Sequence, residues 1–371
     1  MKFIVEKNII FKSLSHVQSI VEKKNTLPIL SNILLEAKEN HLVLSATDMD
    51  ISITDKLHCN IIEMGSTTVS AHTLYDIIRK LPDTSEIEII SNDGKIMSLR
   101  AGKSKFSLGC LPKEDFPIIE IGDLENELNV DSQKFLQLID KTRFAISNEE
   151  TRYFLNGIYF HIKQIDQSSI LSLVATDGHR LAKFDFDFKE PNLNIPGVII
   201  PKKTVNELFK LLSNYNGSIK INLNSNKMVF FVGDSTLITK LIDGNFPDYK
   251  RVIPKDNNNF LKINRQDFSL AVDRVSTITN DKSPVIKFKL FNNLMNMSSV
   301  NAESGTATED IVTNYTGDEI EIGFNSKYML EMLNNLDDVQ IILNFKDSAS
   351  PVTVIEESNP ELIYVLMPMR V

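Results

Sequence analysis

The alternation of apolar and polar residues along the chain follows one pattern three times. Residues 3–14, 128–139 and 261–272 each begin as a short alternating run, pass a polar turn and continue with apolar residues at helical spacing. Period two predicts a strand with one buried face, and spacing of three and four predicts an amphipathic helix. The distance between copies is that of a whole domain, much longer than a solenoid unit.

Each copy continues with a second strand, a polar turn and a second helix, followed by a further strand. The strand–turn–helix segments are 68–82, 198–212 and 321–336, and the strands that follow them are 86–91, 218–224 and 339–345. The motif ATDMDISIT at 46–54 corresponds to ATDGHRLAKF at 175–184, and the more divergent segment 300–311 takes this place in the third copy. Three unrelated α+β domains with similar local patterns are the alternative interpretation.

These patterns predict an α+β protein of three similar domains, each with two helices packed on antiparallel sheets. We expect domains at 1–122, 127–249 and 250–371, with linkers near 120–127 and 254–260, where no apolar period is present. Plausible N-caps of the first helices are Asn8, Ser132 and Asn264.

Composition supports an ordinary globular protein. The chain has 371 residues, of which 42% are hydrophobic and 24% are charged, and this length allows two or three domains. No apolar stretch is long enough for a membrane span, and the N-terminus has no signal-peptide layout. Cys59 and Cys110 lie far apart and lack metal-ligand spacing, which predicts reduced thiols in a cytoplasmic protein.

The net charge of −9 argues weakly against a simple nucleic-acid binder, which is usually basic. Basic residues nevertheless recur at matching helical places in the three copies. If the helices line one concave surface, that surface is positive on an acidic body and attracts phosphates without reading bases. The alternative is ordinary solvated helix faces. The residues are Lys7, Lys12, Lys134, Lys141, Arg143, Arg265 and Arg274 on first helices, and Arg79, Lys80, Lys202, Lys203, Lys210 and Lys327 on second helices and their turns.

The chain carries little sign of catalytic chemistry. It has no Gly-rich phosphate loop, no nucleophile elbow and no HExxH motif. Asp177 and His179 are the one candidate acid–base pair, and a hydrolase that uses them would lack a visible third partner. We therefore expect no catalytic residues, no metal and no cofactor.

Four motifs carry a resemblance to a known family. They are RYFLNG at 152–157, ATDGHRL at 175–181, DGNFPDYKRV at 243–252 and YVLMPMRV at 364–371. With these motifs the chain resembles the bacterial sliding clamps, the β subunits of DNA polymerase III, from Met1 to Val371. The resemblance implies three domains in a crescent, two crescents closed head to tail into a ring around duplex DNA, and a processivity role without catalysis in the cytoplasm, associated with the nucleoid.

The resemblance also implies a hydrophobic cleft that binds short linear peptides. The flexible, polarizable side chains of Met367 and Met369 suit such a surface. The alternative interpretation of VLMPM is the last strand of an ordinary core. The matching residues are Leu155, Thr176, Gly178, His179, Arg180, Leu181, Pro247, Arg251, Val252, Tyr328, Val365, Leu366, Met367, Pro368, Met369 and Arg370.

Contacts to DNA in the pore are implied for Lys24, Arg79, Arg152, Tyr153, Lys202 and Lys203. The chain departs from the family pattern nearby. Phe154 is the second aromatic residue of the loop, Glu149 and Glu150 precede it, and His72 and Thr73 stand where basic residues are common. We therefore expect weak, salt-dependent contacts to phosphate.

For the ring interface, the resemblance pairs the first copy of one chain with the third copy of another. Phe106 and Leu108 match an apolar plug, with Thr277 and Ile278 opposite. Lys103 and Lys105 are expected to face the acidic residues of the partner at positions 303, 309 and 310. Such surface pairs orient an interface more than they stabilise it.

The implied partners are duplex DNA of any sequence, a second copy of the chain, a clamp loader, the replicative polymerase α subunit, other polymerases, and mismatch-repair and ligase-type factors. No membrane partner is expected. The main alternative is a monomeric peptide-binding scaffold of the same fold that does not encircle DNA.

Overall fold

The computed structural model describes residues 1–22, 26–165, 168–188, 195–280 and 284–370. The chain divides into two compact units. Unit one comprises Met1–Leu136 and Lys203–Leu241, and unit two comprises Gln137–Lys202 and Ile242–Val371.

The first copy contains nine strands and two α-helices in the described residues. They are β1 Lys2–Glu6, α1 Lys7–Gln18, β2 Asn32–Lys38, β3 His41–Thr47, β4 Ile51–His58, β5 Asn60–Glu63, β6 Gly65–Ser70, α2 Ala71–Lys80, β7 Glu86–Ser91, β8 Ile96–Ala101 and β9 Ser104–Gly109.

The second and third copies follow in the same order. The second has β10 Asn126–Asp131, α3 Ser132–Arg143, β11 Gly157–Ile165, β12 Ser168–Thr176, β13 Arg180–Phe188, β14 Val198–Pro201, α4 Lys202–Leu212, β15 Ser218–Leu223, β16 Lys227–Val232 and β17 Ser235–Lys240. The third has β18 Asn259–Asn264, α5 Arg265–Ser276, β19 Val285–Phe291, β20 Leu294–Asn301, β21 Gly305–Val312, β22 Asn314–Tyr315, β23 Ile320–Asn325, α6 Ser326–Asn334, β24 Gln340–Phe345, β25 Val352–Glu356 and β26 Leu362–Leu366.

Each first helix follows a strand directly, and each second helix has a strand before it and a strand after it. The threefold repeat and the α+β class predicted from the apolar pattern are therefore confirmed.

Unit one contains two antiparallel sheets. Five strands pair in the order β5-β1-β7-β8-β9, and eight pair in the order β10-β15-β16-β17-β4-β3-β2-β6. Helix α1 packs against α2 and against β3 and β4. Phe3, Ile10 and Leu14 are fully buried there, as the period-two and helical patterns predict. Burial of each such side chain stabilises the fold by about 1.5–3 kcal/mol.

Unit two repeats this plan. Nine strands pair in the order β14-β11-β12-β13-β26-β25-β24-β18-β22, and four pair in the order β21-β20-β19-β23. Helix α5 packs on α6 and on β19 to β21. In each unit the longer sheet contains strands from two different copies, joined at β17–β4 in unit one and at β13–β26 in unit two.

The predicted helix caps are right at one position and wrong at two. The side chain of Asn264 accepts hydrogen bonds from two backbone N–H groups of the first turn of α5, as expected. Asn8 lies inside α1, which begins at Lys7 without a side-chain cap. Asp131 caps α3 through its Oδ1. Ser132 is the first residue of the helix, and its hydroxyl donates to the carbonyl oxygen of Tyr215.

Some of the basic residues expected on an open surface instead hold helix ends. The Nζ of Lys7, which is buried, donates to the carbonyl oxygen of Leu81 just after α2, at 2.6 Å. Arg265 donates to Leu333 in the last turn of α6, at 3.3 Å, and buried Lys141 donates to the carbonyl oxygen just after that helix, at 2.7 Å. A cation at a helix C-terminus satisfies an unpaired carbonyl and favours the helix dipole.

The ATD motifs form the same turn in the first two copies. Thr47 and Thr176 each donate Oγ1 to the carbonyl oxygen four residues further on. Asp48 and Asp177 each accept hydrogen bonds from the backbone N–H groups two and three residues further on. Asn301 does the same in the divergent third copy. An Asx turn thus persists there after the motif itself is lost.

Both cysteines are free and half-buried, as expected. Burial raises the pKa of the Cys59 thiol to about 11, so this thiol stays protonated and unreactive at neutral pH. Among the described helices, none combines the length and apolar character that crossing a membrane requires.

Candidate binding cleft and nucleic-acid interface

Antiparallel pairing of β13 with β26 brings together two parts of the predicted cleft that are far apart in sequence. In this register Arg180 lies opposite Leu366, and Leu181 lies opposite Val365. Leu181, Val365 and Leu366 are buried. The last strand is therefore a core strand, and the predicted cleft residues of β13 and β26 lie side by side on it.

The chain beyond β26, residues 367–370, forms a C-terminal strap over this base. The backbone N–H of Met367 donates to the carbonyl oxygen of His179 at 2.9 Å, and that of Met369 donates to Gly323 in β23 at 2.8 Å. The side chains of Met367, Pro368 and Met369 are half-buried. The strap thus presents part of each apolar side chain while its backbone is held at two points.

The floor beneath the strap is a buried cluster of Val174, Leu181, Tyr249 and Val365. Tyr249 belongs to a short 3-10 helix, Tyr249–Arg251, and the burial of its ring fixes the loop between β17 and β18 onto the sheet. The neighbouring cleft residues Pro247, Arg251 and Val252 remain exposed as a result.

Arg251, Val252 and Met367 share a cavity of about 320 Å³. Sequence reasoning missed the other residues around it, because the family motif ends at position 252 and the remaining residues come from two separate loops. No continuous motif in the sequence joins the two segments, 254–257 and 346–351. These residues are Pro254, Lys255, Asp256, Asn257, Lys346, Ser350 and Pro351.

One wall of the cleft is a stack of aromatic and cationic side chains. The His179 ring lies parallel to that of Tyr328, with centroids 6.0 Å apart. The guanidinium of Arg180 lies 4.5 Å from the Tyr328 centroid and 5.2 Å from that of Phe144. Cation–π attraction at these distances fixes the Tyr328 ring. Burial, reinforced by the charge of Asp177, raises the pKa of Tyr328.

Arg180 is a fixed part of this wall, whereas Arg251 and Arg370 are exposed at its rim. The guanidinium of Arg180 donates to Glu331 at 2.5 Å, to the carbonyl oxygen of Phe144 at 2.8 Å and to Asp177 at 3.1 Å. A buried cation with three acceptors is immobile and satisfied.

The hydrolase alternative finds no support in this arrangement. Asp177 uses its carboxylate to accept backbone N–H groups and the Nε of Arg180. The imidazole of His179 is instead stacked on Tyr328. The described residues also contain no group of three or more His, Cys, Asp or Glu placed to hold a metal ion.

Gly178 occupies the tightest point of the turn behind the cleft. Its φ is +89°, and a Cβ at this position would lie 2.6 Å from a terminal nitrogen of Arg152. The Oγ1 of Thr176 stabilises the same turn by donating to the carbonyl oxygen of Arg180 and accepting from the backbone N–H of Gly178. Leu155 is buried at the end of the 3-10 helix that carries Arg152, so the loop predicted to contact DNA lies directly beside the cleft.

The predicted phosphate contacts that the structure describes each have a partner in the same chain. Arg152 forms two hydrogen bonds of 2.7 Å to Glu149, which hold the pKa of that carboxyl below its usual range. Arg79 pairs with Asp76 at 2.9 Å. The Nζ of Lys202 donates to Asn148 at 2.6 Å.

Lys203 lies between two acids, 2.5 Å from Asp48 and 3.1 Å from Glu22, and its pKa is raised by these hydrogen bonds against the opposing effect of burial. Tyr153 is also open to solvent, with 54% of the residue exposed. Lys24 lies outside the described residues.

The residues of the predicted ring interface lie on or beside two sheet edges. Phe106 and Leu108 are half-buried on β9, the edge strand of the five-stranded sheet in unit one. Lys103 and Lys105 are exposed at the start of this strand. An edge strand presents unpaired N–H and C=O groups, which favour pairing with another chain.

In unit two, β21 is the edge strand of the four-stranded sheet. The carboxylate of Glu309 is held by Arg274 of the same chain, at 3.0 and 2.5 Å, and Asp310 accepts from Asn296 at 2.6 Å. Thr277 is exposed just after α5, and Ile278 is half-buried. Glu303 is exposed in the turn just before β21.

Comparison with known proteins covers the whole chain. Three family models match in succession: the N-terminal domain of the DNA polymerase III beta subunit over residues 1–120, its central domain over 129–248, and its C-terminal domain over 250–370. The beta sliding clamp of Caulobacter vibrioides is 43% identical over 372 residues, and that of Pseudomonas aeruginosa is 35% identical over 371 residues. Both alignments cover 100% of each chain.

Solved structures agree with the sequence matches. The sliding clamp of Bartonella birtlesii bound to griselimycin superposes with a TM-score of 0.97 at 45% identity, covering 100% of both chains. The beta sliding clamp of Caulobacter crescentus has a TM-score of 0.96 at 43% identity, covering 100% of this chain and 99% of that one.

Proposed function

The chain belongs to the DNA polymerase III beta subunit family and acts in DNA replication as a non-catalytic sliding clamp, and we propose that the cleft of unit two is where its partner proteins dock. The expectation of a protein without catalysis is confirmed by this family. We further propose domains at 1–122, 127–249 and 250–371, a homodimeric ring, and work in the cytoplasm on nucleoid DNA.

The observation that carries the cleft proposal is the C-terminal strap. Its backbone is hydrogen-bonded to His179 and Gly323, so Met367 and Met369 are held over a buried floor with their side chains half-exposed. Flexible thioethers on a fixed backbone adapt to varied apolar side chains at low cost. A short linear peptide that inserts an apolar anchor is the partner that fits this surface.

Griselimycin is bound in structures of the related clamps of Bartonella birtlesii and Pseudomonas aeruginosa, and we propose that it binds the cleft of this chain and can therefore serve as its probe. We expect Met367→Ala to weaken griselimycin binding, measured by calorimetry, by about tenfold or more, because a central apolar contact is lost. Met64→Ala, which removes an exposed methionine of unit one, is the matched control. Equal affinity in wild type and Met367→Ala would refute the cleft assignment.

For DNA, we propose weak sliding contacts through Lys24, Arg79, Arg152, Tyr153, Lys202 and Lys203. The ion pairs of Arg79 and Arg152 are exposed to solvent and therefore weak, so a phosphate can compete for these cations. The resulting affinity is low and falls steeply with salt. Enclosure of the duplex, rather than surface affinity, then explains how an acidic protein stays on DNA.

Enclosure is tested by retention on DNA after loading by a cognate clamp loader with ATP. We expect the protein to remain on a nicked circular duplex and to leave when the circle is linearised, because only a closed ring depends on the absence of ends. Equal retention on both forms would mean ordinary surface binding. Loss from both forms, with a loader proven active on another clamp, would favour the monomeric scaffold.

The partners of this function include DNA and the replicative polymerase. We propose that the clamp loader, the polymerase α subunit, other polymerases, and mismatch-repair and ligase-type factors reach the same cleft through short linear peptides. Competition among them for one site then decides which enzyme works on the DNA at a given moment.

A further inference from the structure

A cavity lies beside the predicted cleft and is lined partly by residues that were not predicted to belong to the cleft. Arg251, Val252 and Met367 line both the predicted cleft and this cavity of about 320 Å³. A peptide whose apolar anchor lies against Met367 therefore has its next residues within reach of the cavity. The remaining lining comes from residues 254–257 and from the loop that precedes β25.

Positive charge predominates at this cavity, on a chain whose net charge is −9. Its lining contains Arg251, Lys255 and Lys346 against one acid, Asp256. Arg251 is partly neutralised by Asp248, 2.9 Å from its Nε. Within the described residues, no carboxylate lies in ion-pair distance of the exposed amines of Lys255 and Lys346, which leaves both available to a ligand.

The acid next to Lys346 is engaged elsewhere. The carboxylate of Asp347 accepts hydrogen bonds from the hydroxyl and the backbone N–H of Ser350 and from the backbone N–H of Ala349. These bonds orient the Asp347 carboxylate into its own turn. The backbone hydrogen bond from Ala349, with a smaller contribution from the charge of Lys346, lowers the pKa of Asp347, but the Lys346 and Asp347 side chains form no ion pair, so the Lys346 amine can still contact an external anion.

The frame of the cavity is rigid. Asn257 is buried, and its side-chain N–H₂ donates to the carbonyl oxygens of Asn344 at 2.7 Å and Pro351 at 3.0 Å, which ties the two loops together. Pro254 and Pro351 restrict the backbone on either side. A preformed site loses little conformational entropy when it binds a ligand.

We propose that this cavity selects docking peptides with an aspartate or glutamate adjacent to the apolar anchor, recognised by Lys255 and Lys346. The proposal rests on the cleft being the docking site. Because the two amines are exposed, their contribution is to specificity and association rate more than to total affinity. Acidic flanks bind more tightly than neutral ones at low salt, and the difference shrinks as ionic strength rises.

The test is a selection from a displayed library of random peptides, eluted with griselimycin so that only occupants of the cleft are recovered. We expect acidic residues to be enriched at a constant distance from an apolar anchor on the wild-type protein. On the variant Lys255→Glu, Lys346→Glu, the same position should lose its acidic preference. A variant with the same charge change in unit one, Lys12→Glu, Lys56→Glu, should retain it.

Synthetic peptides with sequences from the selection measure how much the acidic residue contributes to affinity. Replacing the acidic residue by its amide should weaken binding to wild type by about threefold to tenfold and should have no effect on the Lys255→Glu, Lys346→Glu variant. Recovery of griselimycin-eluted peptides without acidic enrichment would overturn this inference and leave the cleft proposal intact. Recovery of no griselimycin-eluted peptides would overturn the cleft proposal itself.

Discussion

Met49 and Gly178 occupy the same position of the turn in the first and second copies, and both have a positive φ angle. Both follow the Asp of an ATD motif, and their φ angles are +81° and +89°. A side chain in this left-handed region costs about 1–2 kcal/mol, which glycine avoids. In the second copy glycine is also needed because Arg152 approaches it closely.

Reciprocal substitutions test this turn. Met49→Gly should raise the free energy of unfolding by up to about 1 kcal/mol, because backbone strain is relieved and the lost side chain is largely exposed. Gly178→Ala should lower it by about 1–2 kcal/mol. Urea denaturation measures both, and Gly94→Ala, at φ +70° in open space, controls for strain without the neighbouring arginine. If both substitutions changed the free energy of unfolding in the same direction, strain at this backbone angle would not explain the difference between the two turns.

His161 makes the fold sensitive to acid. It is buried against Tyr249, with its Nε2 3.0 Å from the phenol oxygen. Burial, with the nearby charge of Lys163 adding to it, lowers its pKa from 6.5 to about 4. The unfolded chain therefore binds a proton between these two values that the folded chain does not, and this histidine stabilises the fold fully only above pH 6.5.

Stability should accordingly fall as pH drops from about 6.5 to 4, by an amount on the order of 3 kcal/mol for this group. His161→Gln should flatten the slope of unfolding free energy against pH in this range, measured by urea titration at each pH. His58→Gln, at an exposed histidine, should leave the slope unchanged. A slope that survives His161→Gln would assign the acid sensitivity to other groups.

At the scale of secondary structure, the first helix of a copy supports the end of the second. Lys7 at the start of α1 and Arg265 at the start of α5 both donate to carbonyl groups at the end of the partner helix. Apolar faces alone do not satisfy the last carbonyls of a helix. This contact therefore complements the packing of α1 on α2 and of α5 on α6.

Replacing Lys7 with methionine keeps the buried aliphatic chain but removes the donor. We expect Lys7→Met to lower the free energy of unfolding by about 1–3 kcal/mol and to speed amide exchange in the last turn of α2. Exposed Lys12 on the same helix provides the control, and Lys12→Met should change neither quantity. Unaltered exchange in Lys7→Met would show that the carbonyl is satisfied by water.

At the scale of the whole molecule, we propose that two edge strands form the contact between chains. Strand β9 is cationic at its start and carries Phe106 and Leu108, whereas β21 is acidic. Antiparallel addition of one edge to the other between two chains would pair free backbone groups and bury the apolar plug. Two such contacts in a head-to-tail dimer close a ring.

The double variant Phe106→Ala, Leu108→Ala should therefore run as a 42.0 kDa monomer in size-exclusion chromatography with light scattering, while wild type runs at twice that mass. Ile96→Ala, at an exposed position of the adjacent strand β8, should stay dimeric. The monomer should also fail the retention test on circular DNA. A double variant that remains a dimer would exclude the plug.

The threefold repeat, the class of fold, the order of strands and helices, and the family can all be predicted from the sequence. These follow from local periodicity and from short motifs, which are properties of neighbouring residues. The same local reasoning correctly identifies Asn264 as a cap. It wrongly selects Ser132 in place of Asp131, because a capping geometry that starts one residue earlier has almost the same sequence signal.

The places where distant segments meet become visible only in the folded chain. The register of β13 on β26 joins Leu181 to Val365, and no local pattern specifies that pairing. Lys7 and Lys141 looked like surface cations but are buried against helix ends, because a long side chain finds its partner through packing that sequence does not reveal. The cavity between Lys255 and Lys346 has the same origin, since two loops nearly a hundred residues apart meet there through the hydrogen bonds of Asn257.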